Sequence, residues 1–254
     1  ERMAHFDGTL QQALKKADCF VFECDTASQE AQAVIAEMMA AEQPLGELLT
    51  AETYALLAQT AQKCGISMDR LNAFRPWAVT SDLSSQAAAA ELGTRSARSA
   101  LQQGVEERVR KYVGEKPVHY LETAREQLEV LDGFSPALQD AMVKSVCQQI
   151  LNPEETGSTL AQWPDWWAEG ETEPFIHAYE AENDFAEPAL TEEYRWGLIT
   201  LRNRRMAEGL RVLLEQDEGE KIFATVGLLH LVLPEDSVLR ELEAMGYQVE
   251  QVKE

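Results

Sequence analysis

Glu23, Glu122, Arg202 and His230 are the residues whose types and surroundings could do chemistry. His230 closes the string Gly227-Leu228-Leu229-His230, directly after the apolar run 222–226. Gly227 would permit a sharp exit from a strand, leaving His230 just past its end. Ligand sites on α/β sheets lie at such carboxyl ends, and a neutral imidazole there suits a divalent metal or a general base. On spacing alone, a structural or surface histidine is the better account of the string.

Glu23 stands near the end of the run Cys19-Phe20-Val21-Phe22-Glu23-Cys24-Asp25. A carboxylate ending a buried strand costs desolvation unless a cation, a metal or a set of donors offsets it. Otherwise the strand has simply reached solvent. Glu122 repeats the arrangement after Val118-His119-Tyr120-Leu121. Two acids and a histidine ending three strands would converge if those strands shared one sheet. In Arg202-Asn203-Arg204-Arg205, the basic residues suit a surface helical face paired with acids. Alternatively, Arg202 enters the site, where its planar fork could clamp a carboxylate or polarise an oxyanion. His119 reads as a hydrogen-bonded core residue, Trp163, Trp166 and Trp167 as packing, and His5 and His177 carry no role. HExxH, GxSxG, P-loop and GxGxxG motifs are absent from the sequence, which removes the usual support for several enzyme classes.

The elements that must position these residues follow from periodicity and punctuation. Strands are predicted over 19–25, 116–122, 221–226 and 247–252. Helices are predicted over 10–17, 30–42, 51–63 (capped by Thr50 and stopped at Gly65), 69–74 and 84–92. Others run over 124–131, from Ser135 with Pro136 at its first position, over 191–216 and over 234–245. Residues 152–188, with their prolines, glycine, acids and tryptophans, read as the least regular stretch. Strands alternating with helices imply an α/β or α+β fold, helix-rich, with a mixed sheet flanked by helices.

The 254 residues, 45% of them hydrophobic, suffice for a sizeable core. There are 44 acidic against 22 basic residues, a formal charge of −22. That field repels phosphate backbones and anionic headgroups, so no nucleic-acid partner is expected. The four cysteines form no CxxC pair and no zinc spacing. No apolar stretch is long enough to span a bilayer. A chain opening on Glu1 rather than Met reads as trimmed.

Ordered strings over nearly the whole chain resemble the TraB/GumN (Tiki-like) family. They are Ala17-Asp18 through Val21-Phe22-Glu23, then Phe74-Arg75-Pro76-Trp77, Glu91-Leu92-Gly93 and Gly104-Val105-Glu106. Lys116-Pro117-Val118 follows, leading to Leu121-Glu122-Thr123 and Gln127. Trp167 with Gly170, Arg202-Asn203 with Met206-Ala207, and Gly227-Leu228-Leu229-His230 before Gly246-Tyr247 complete the set. The resemblance implies a fold related to the erythromycin-esterase/ChaN-like group and one domain over residues 1–254. It also implies a metal-dependent hydrolytic site, with peptidase activity as in the animal Tiki members that cleave Wnt proteins. Bacterial relatives include proteins that reduce peptide-pheromone signalling.

The family pattern has two GxxH motifs, a glutamate and an arginine. Carried over, the second GxxH ends in His230, the glutamate is Glu23 and the arginine is Arg202. Asn203 and Gly227 support the motif, and Glu122 is a further residue at the site's edge. Glu23 and His230 would hold a divalent metal (Mn, Co, Zn or Fe), and Arg202 would stabilise an oxyanion. The first GxxH has no counterpart here, since Arg2 rather than Gly precedes His5 at the required spacing. That motif and its strand are expected upstream of Glu1. A bacterial envelope or extracytoplasmic location, with a lipid anchor on a removed N-terminus, is the expectation, and the cytoplasm the alternative. The rival function is a non-catalytic protein that sequesters a peptide or other ligand in the same cleft. A metal- or haem-handling role follows only from analogy of fold.

Overall fold

Three short parallel strands, in the order β2-β1-β3, bring the ends of distant segments together. The computed structural model describes residues 8–91, 93, 104–153, 159–216 and 219–252. His5 and Leu92 lie outside the described residues. Central β1 (Cys19–Cys24) is apolar except at Glu23, and pairs with β2 (Val118–Glu122) and β3 (Ile222–Thr225). Cys24 is level with Glu122, and Phe22 with both Tyr120 and Thr225. All three carboxyl ends therefore open on the same edge.

Before the second strand come α1 (Gly8–Lys16), α2 (Gln29–Met39), α3 (Leu45–Leu48) and α4 (Ala51–Cys64). They are followed by α5 (Met68–Leu71), α6 (Pro76–Glu91) and α7 (Val105–Arg110). Between β2 and β3 lie α8 (Ala124–Asp132), α9 (Pro136–Leu151), a 3-10 turn (Leu160–Gln162), α10 (Trp163–Glu169) and α11 (Glu173–Glu182). One continuous helical run then comprises α12 (Pro188–Arg195), a π-helical segment (Trp196–Leu201) and α13 (Arg202–Gln216). After β3 come α14 (Leu229–Val232) and α15 (Val238–Ala244).

Alternation along the strands makes the layers. On one face Val21, Leu121 and Ile222 pack with Met206, Ala207, Leu210 and Val238 of α13 and α15. On the other, Phe20, Phe22, Val118 and Phe223 pack with Leu14 of α1 and Val109 of α7. A separate helical core, including Leu57, Leu71, Val79, Leu83 and Val143, joins α3–α6 to α9.

Local chemistry sets the boundaries. Thr50 accepts the Thr53 N–H at the start of α4, and Gly65 ends that helix at φ 69°. Thr123 and Glu126 form a reciprocal capping box that starts α8 immediately after Glu122. Ser135 caps α9, with Pro136 in its first turn.

Four expectations change. The described residues of 152–188 are largely helical, because Pro164, Pro174 and Pro188 sit in the first turns of α10, α11 and α12. A missing N–H costs nothing in a first turn. For the same reason α6 begins at Pro76 rather than Ser84. Residues 247–252 form no strand, although they alternate, because they are not hydrogen-bonded to the sheet. His119 is exposed rather than in the core, since β2 is an edge strand with its middle in solvent.

Candidate functional site

The carboxyl edge of the sheet gathers Glu23, Glu122 and the turn after β3 around one guanidinium. Glu23 accepts the Gly227 N–H through Oε2 at 2.8 Å. Its Oε1 accepts from Gln127 Nε2 at 3.0 Å and from Arg202 Nη2. Arg202 Nε divides its hydrogen between the two oxygens of Glu122, at 3.1 and 3.0 Å. Arg202 is 6% exposed and Glu122 5%, so the guanidinium is held between two carboxylates away from bulk water. Glu23 shares the face of Val21 that packs against α13. Strict alternation would turn Glu122 the other way; the contact forms because β2 ends at that residue.

His230 reaches the same place from α14, a single turn whose Leu229 and Val232 pack against Ile176 and Ile199. Its Nδ1 lies 2.7 Å from Asn203 Oδ1. Asn203 Nδ2 donates to the Asp236 backbone carbonyl at 2.8 Å and to Oδ1 of Asp236 at 3.1 Å. With the amide nitrogen committed, the amide oxygen faces the ring and can only accept. His230 therefore carries its hydrogen on Nδ1, leaving Nε2 unprotonated and, among the described residues, without a hydrogen-bond partner.

The electrostatics separate the three titrating groups. Burial lowers His230 to about 4, aided by Arg202 and opposed by Glu23 and Asp236, so the ring is neutral near pH 7. Burial alone would raise Glu23, but Arg202, the Gly227 N–H and His230 outweigh it and hold its carboxyl below the usual range. For Glu122 burial wins over Arg202, and its carboxyl lies above the usual range. Arg202 stays charged, since the two carboxylates outweigh its own burial.

These groups close one side of a cleft of about 500 Å³. Glu23, Arg202, Gly227 and His230 line it, but Glu122 does not: its carboxylate stands behind Arg202. The other walls include Trp163, Phe175, Tyr179, Tyr194 and Leu198. Trp163 thus combines packing, edge-on to Phe175 at 5.5 Å, with a place on the cleft wall, where packing alone was expected.

The TraB/PrgY/gumN family model matches residues 1–251. The chain belongs to the TraB/PrgY/gumN family. Comparison with curated proteins and with solved structures found no match.

Within this family member, the predicted residues Glu23, Glu122, Arg202, Asn203 and His230 are joined by direct hydrogen bonds into two linked sets. Gly227 bridges the sets, but not through unusual backbone freedom: its φ is not positive. A Cβ there would lie 3.3 Å from Glu23 Oε2 and 3.4 Å from His230 Cδ2. The glycine is thus explained by the space that the carboxylate and the ring already occupy. Of the basic run, Arg204 leaves the site to lie over Trp196, 5.2 Å from the ring centroid.

Sequence reasoning gave no part to Asp236, which orients Asn203, and attached no contact to Gln127. A solvent-type string, Pro234-Glu235-Asp236-Ser237, carries no signal for such a role. As for a metal, among the described residues no group of three His, Cys, Asp or Glu side chains is placed to hold one. Both Glu23 oxygens already accept N–H donors, one of them from a cation. The described donor set does not by itself fit a divalent ion.

Proposed function

We propose that this chain is a hydrolase acting on peptides, with His230 as general base and Arg202 as the oxyanion-stabilising group. The observation that carries the proposal is the hydrogen bond that fixes His230 Nδ1 on Asn203, with His230 and Arg202 lining the same cleft; it leaves Nε2 of the neutral ring free of a proton. Nε2 would take a proton from water as its oxygen bonds to the substrate carbonyl carbon. The carbonyl oxygen, gaining negative charge, would be met by the Arg202 guanidinium, preorganised by Glu23 and Glu122. As the carbon–nitrogen bond breaks, the imidazolium would return the proton to the leaving amine. Glu122 is a positioning residue here, acting through Arg202.

Peptides as substrates, and a divalent metal, enter this proposal from the family resemblance. Glu23 and His230 would be its two donors among the described residues, and a bound metal would lower the pKa of its water. Since those two do not fit it alone, no step is derived through it.

The test is hydrolysis of a mixed peptide pool by the wild type, His230→Ala and Arg202→Ala, each with and without chelator. Losses of about 100-fold or more are expected for both variants. Undiminished cleavage by His230→Ala would remove the proposed base. A second reading, sequestration of a ligand without turnover, is favoured by the way Arg202 is already engaged by two carboxylates. Saturable binding of intact peptide, unchanged by chelator, would select it.

A further inference from the structure

The aromatic cleft has a second charged end. Along α11, Phe175, Tyr179 and Glu182 follow at four- and three-residue spacing, and all three line the cleft. That is one helical stripe, aromatic first and anionic last. Glu182 is exposed yet lines the cleft, which puts it at the rim. Among the described residues its carboxylate has neither an ion pair nor a hydrogen bond. Partial loss of water where it turns into the cleft disfavours its ionised form, and the like charge of Glu91, at the end of α6, acts in the same direction. A cationic ligand group would relieve both costs.

The rim connects to Arg202 along one wall of the cleft. Phe185, three residues after Glu182, packs edge-on to Tyr194 at 5.6 Å. Tyr194 and Arg202 both line the cleft from the same helical run. The walls between, Phe175, Tyr179 and Leu198, suit apolar side chains.

We propose that Glu182 is an anchor for a ligand's primary ammonium group, the free amino end of an apolar peptide. A later residue of the peptide would then lie at Arg202 and His230. This deepens the peptide reading of the cleft and rests on it.

Binding to the wild type and Glu182→Gln, followed by calorimetry, tests it with three probes: Phe-Leu-Phe-Leu amide, its N-acetylated form, and N-acetyl-Lys-Leu-Phe-Leu amide. Acetylation should weaken wild-type binding about fivefold, the scale of a rim ion pair, and leave Glu182→Gln unaffected. Recovery by the lysine probe in the wild type alone would keep the ammonium site and assign its source to a side chain. Equal wild-type affinity for free and acetylated peptides, or discrimination that survives Glu182→Gln, overturns the anchor while leaving the peptide cleft standing. Absence of binding by all three overturns the peptide reading and the anchor with it.

Discussion

Single side chains at this site are constrained mainly by their neighbours' hydrogen bonds. Gly227→Ala would press a methyl against Glu23 Oε2 and His230 Cδ2. Peptide hydrolysis should fall at least tenfold while the chain stays folded, which parallel activity and far-UV dichroism measurements would check. His230 also carries a pH signature. Its folded value of about 4 lies below its ordinary 6.5. Between these values the unfolded chain binds a proton that the native site refuses, so stability falls as pH drops through that window. Glu23, held low, adds to the acid loss at the lower end, whereas Glu122, held high, opposes it. His230→Gln should lose less stability than the wild type between pH 7 and pH 4.5, read as urea midpoints at each pH. An equal loss in both proteins would show that His230 does not titrate as described.

Among the elements, the π-helical segment Trp196–Leu201 matters most, since it delivers Arg202 and Asn203 into the site at the start of α13. Its wider turn changes the phase of the helical run just before those residues, as π segments often do at functional sites. Gly197 lets this segment approach α8 and the loop to α9: a Cβ there would stand 2.6 Å from Phe134 Cε1. Both ring and helix are packed, so overpacking cannot relax locally. Gly197→Ala should cost about 1–3 kcal/mol, measured by chemical denaturation. A secondary loss of activity should follow from displacement of Arg202.

On the scale of the whole molecule, a formal charge of −22 opposes compaction. Salt screens that repulsion over about 10 Å at about 0.1 M. The melting temperature should therefore rise between about 10 and about 150 mM sodium chloride, and an unchanged or falling value would show that local ion pairs dominate. Of the described residues, no helix is long and apolar enough to cross a membrane.

The linear order of residue types was enough to determine the family, the helix-rich α/β class, the three strands of the sheet (with a fourth, at 247–252, that the structure does not form) and the helix ends at Thr50, Gly65 and Ser135. Each of these rests on what lies close together in the chain: apolar runs, Thr50 and Ser135 as caps, Gly65 as a stop, and short strings whose order resembles the family's. It also marked Glu23, Glu122, Arg202, Asn203, Gly227 and His230 as the residues to watch. Sequence could not say that Glu122 stands behind Arg202 rather than in the cleft, because that follows from where β2 ends. Nor could it assign the Nδ1 hydrogen of His230, which depends on Asp236 committing the Asn203 amide. The reason for Gly227 likewise lay in space shared with a carboxylate 204 positions away. Such facts belong to contacts between segments remote in the chain, and only the folded arrangement sets which donor meets which acceptor.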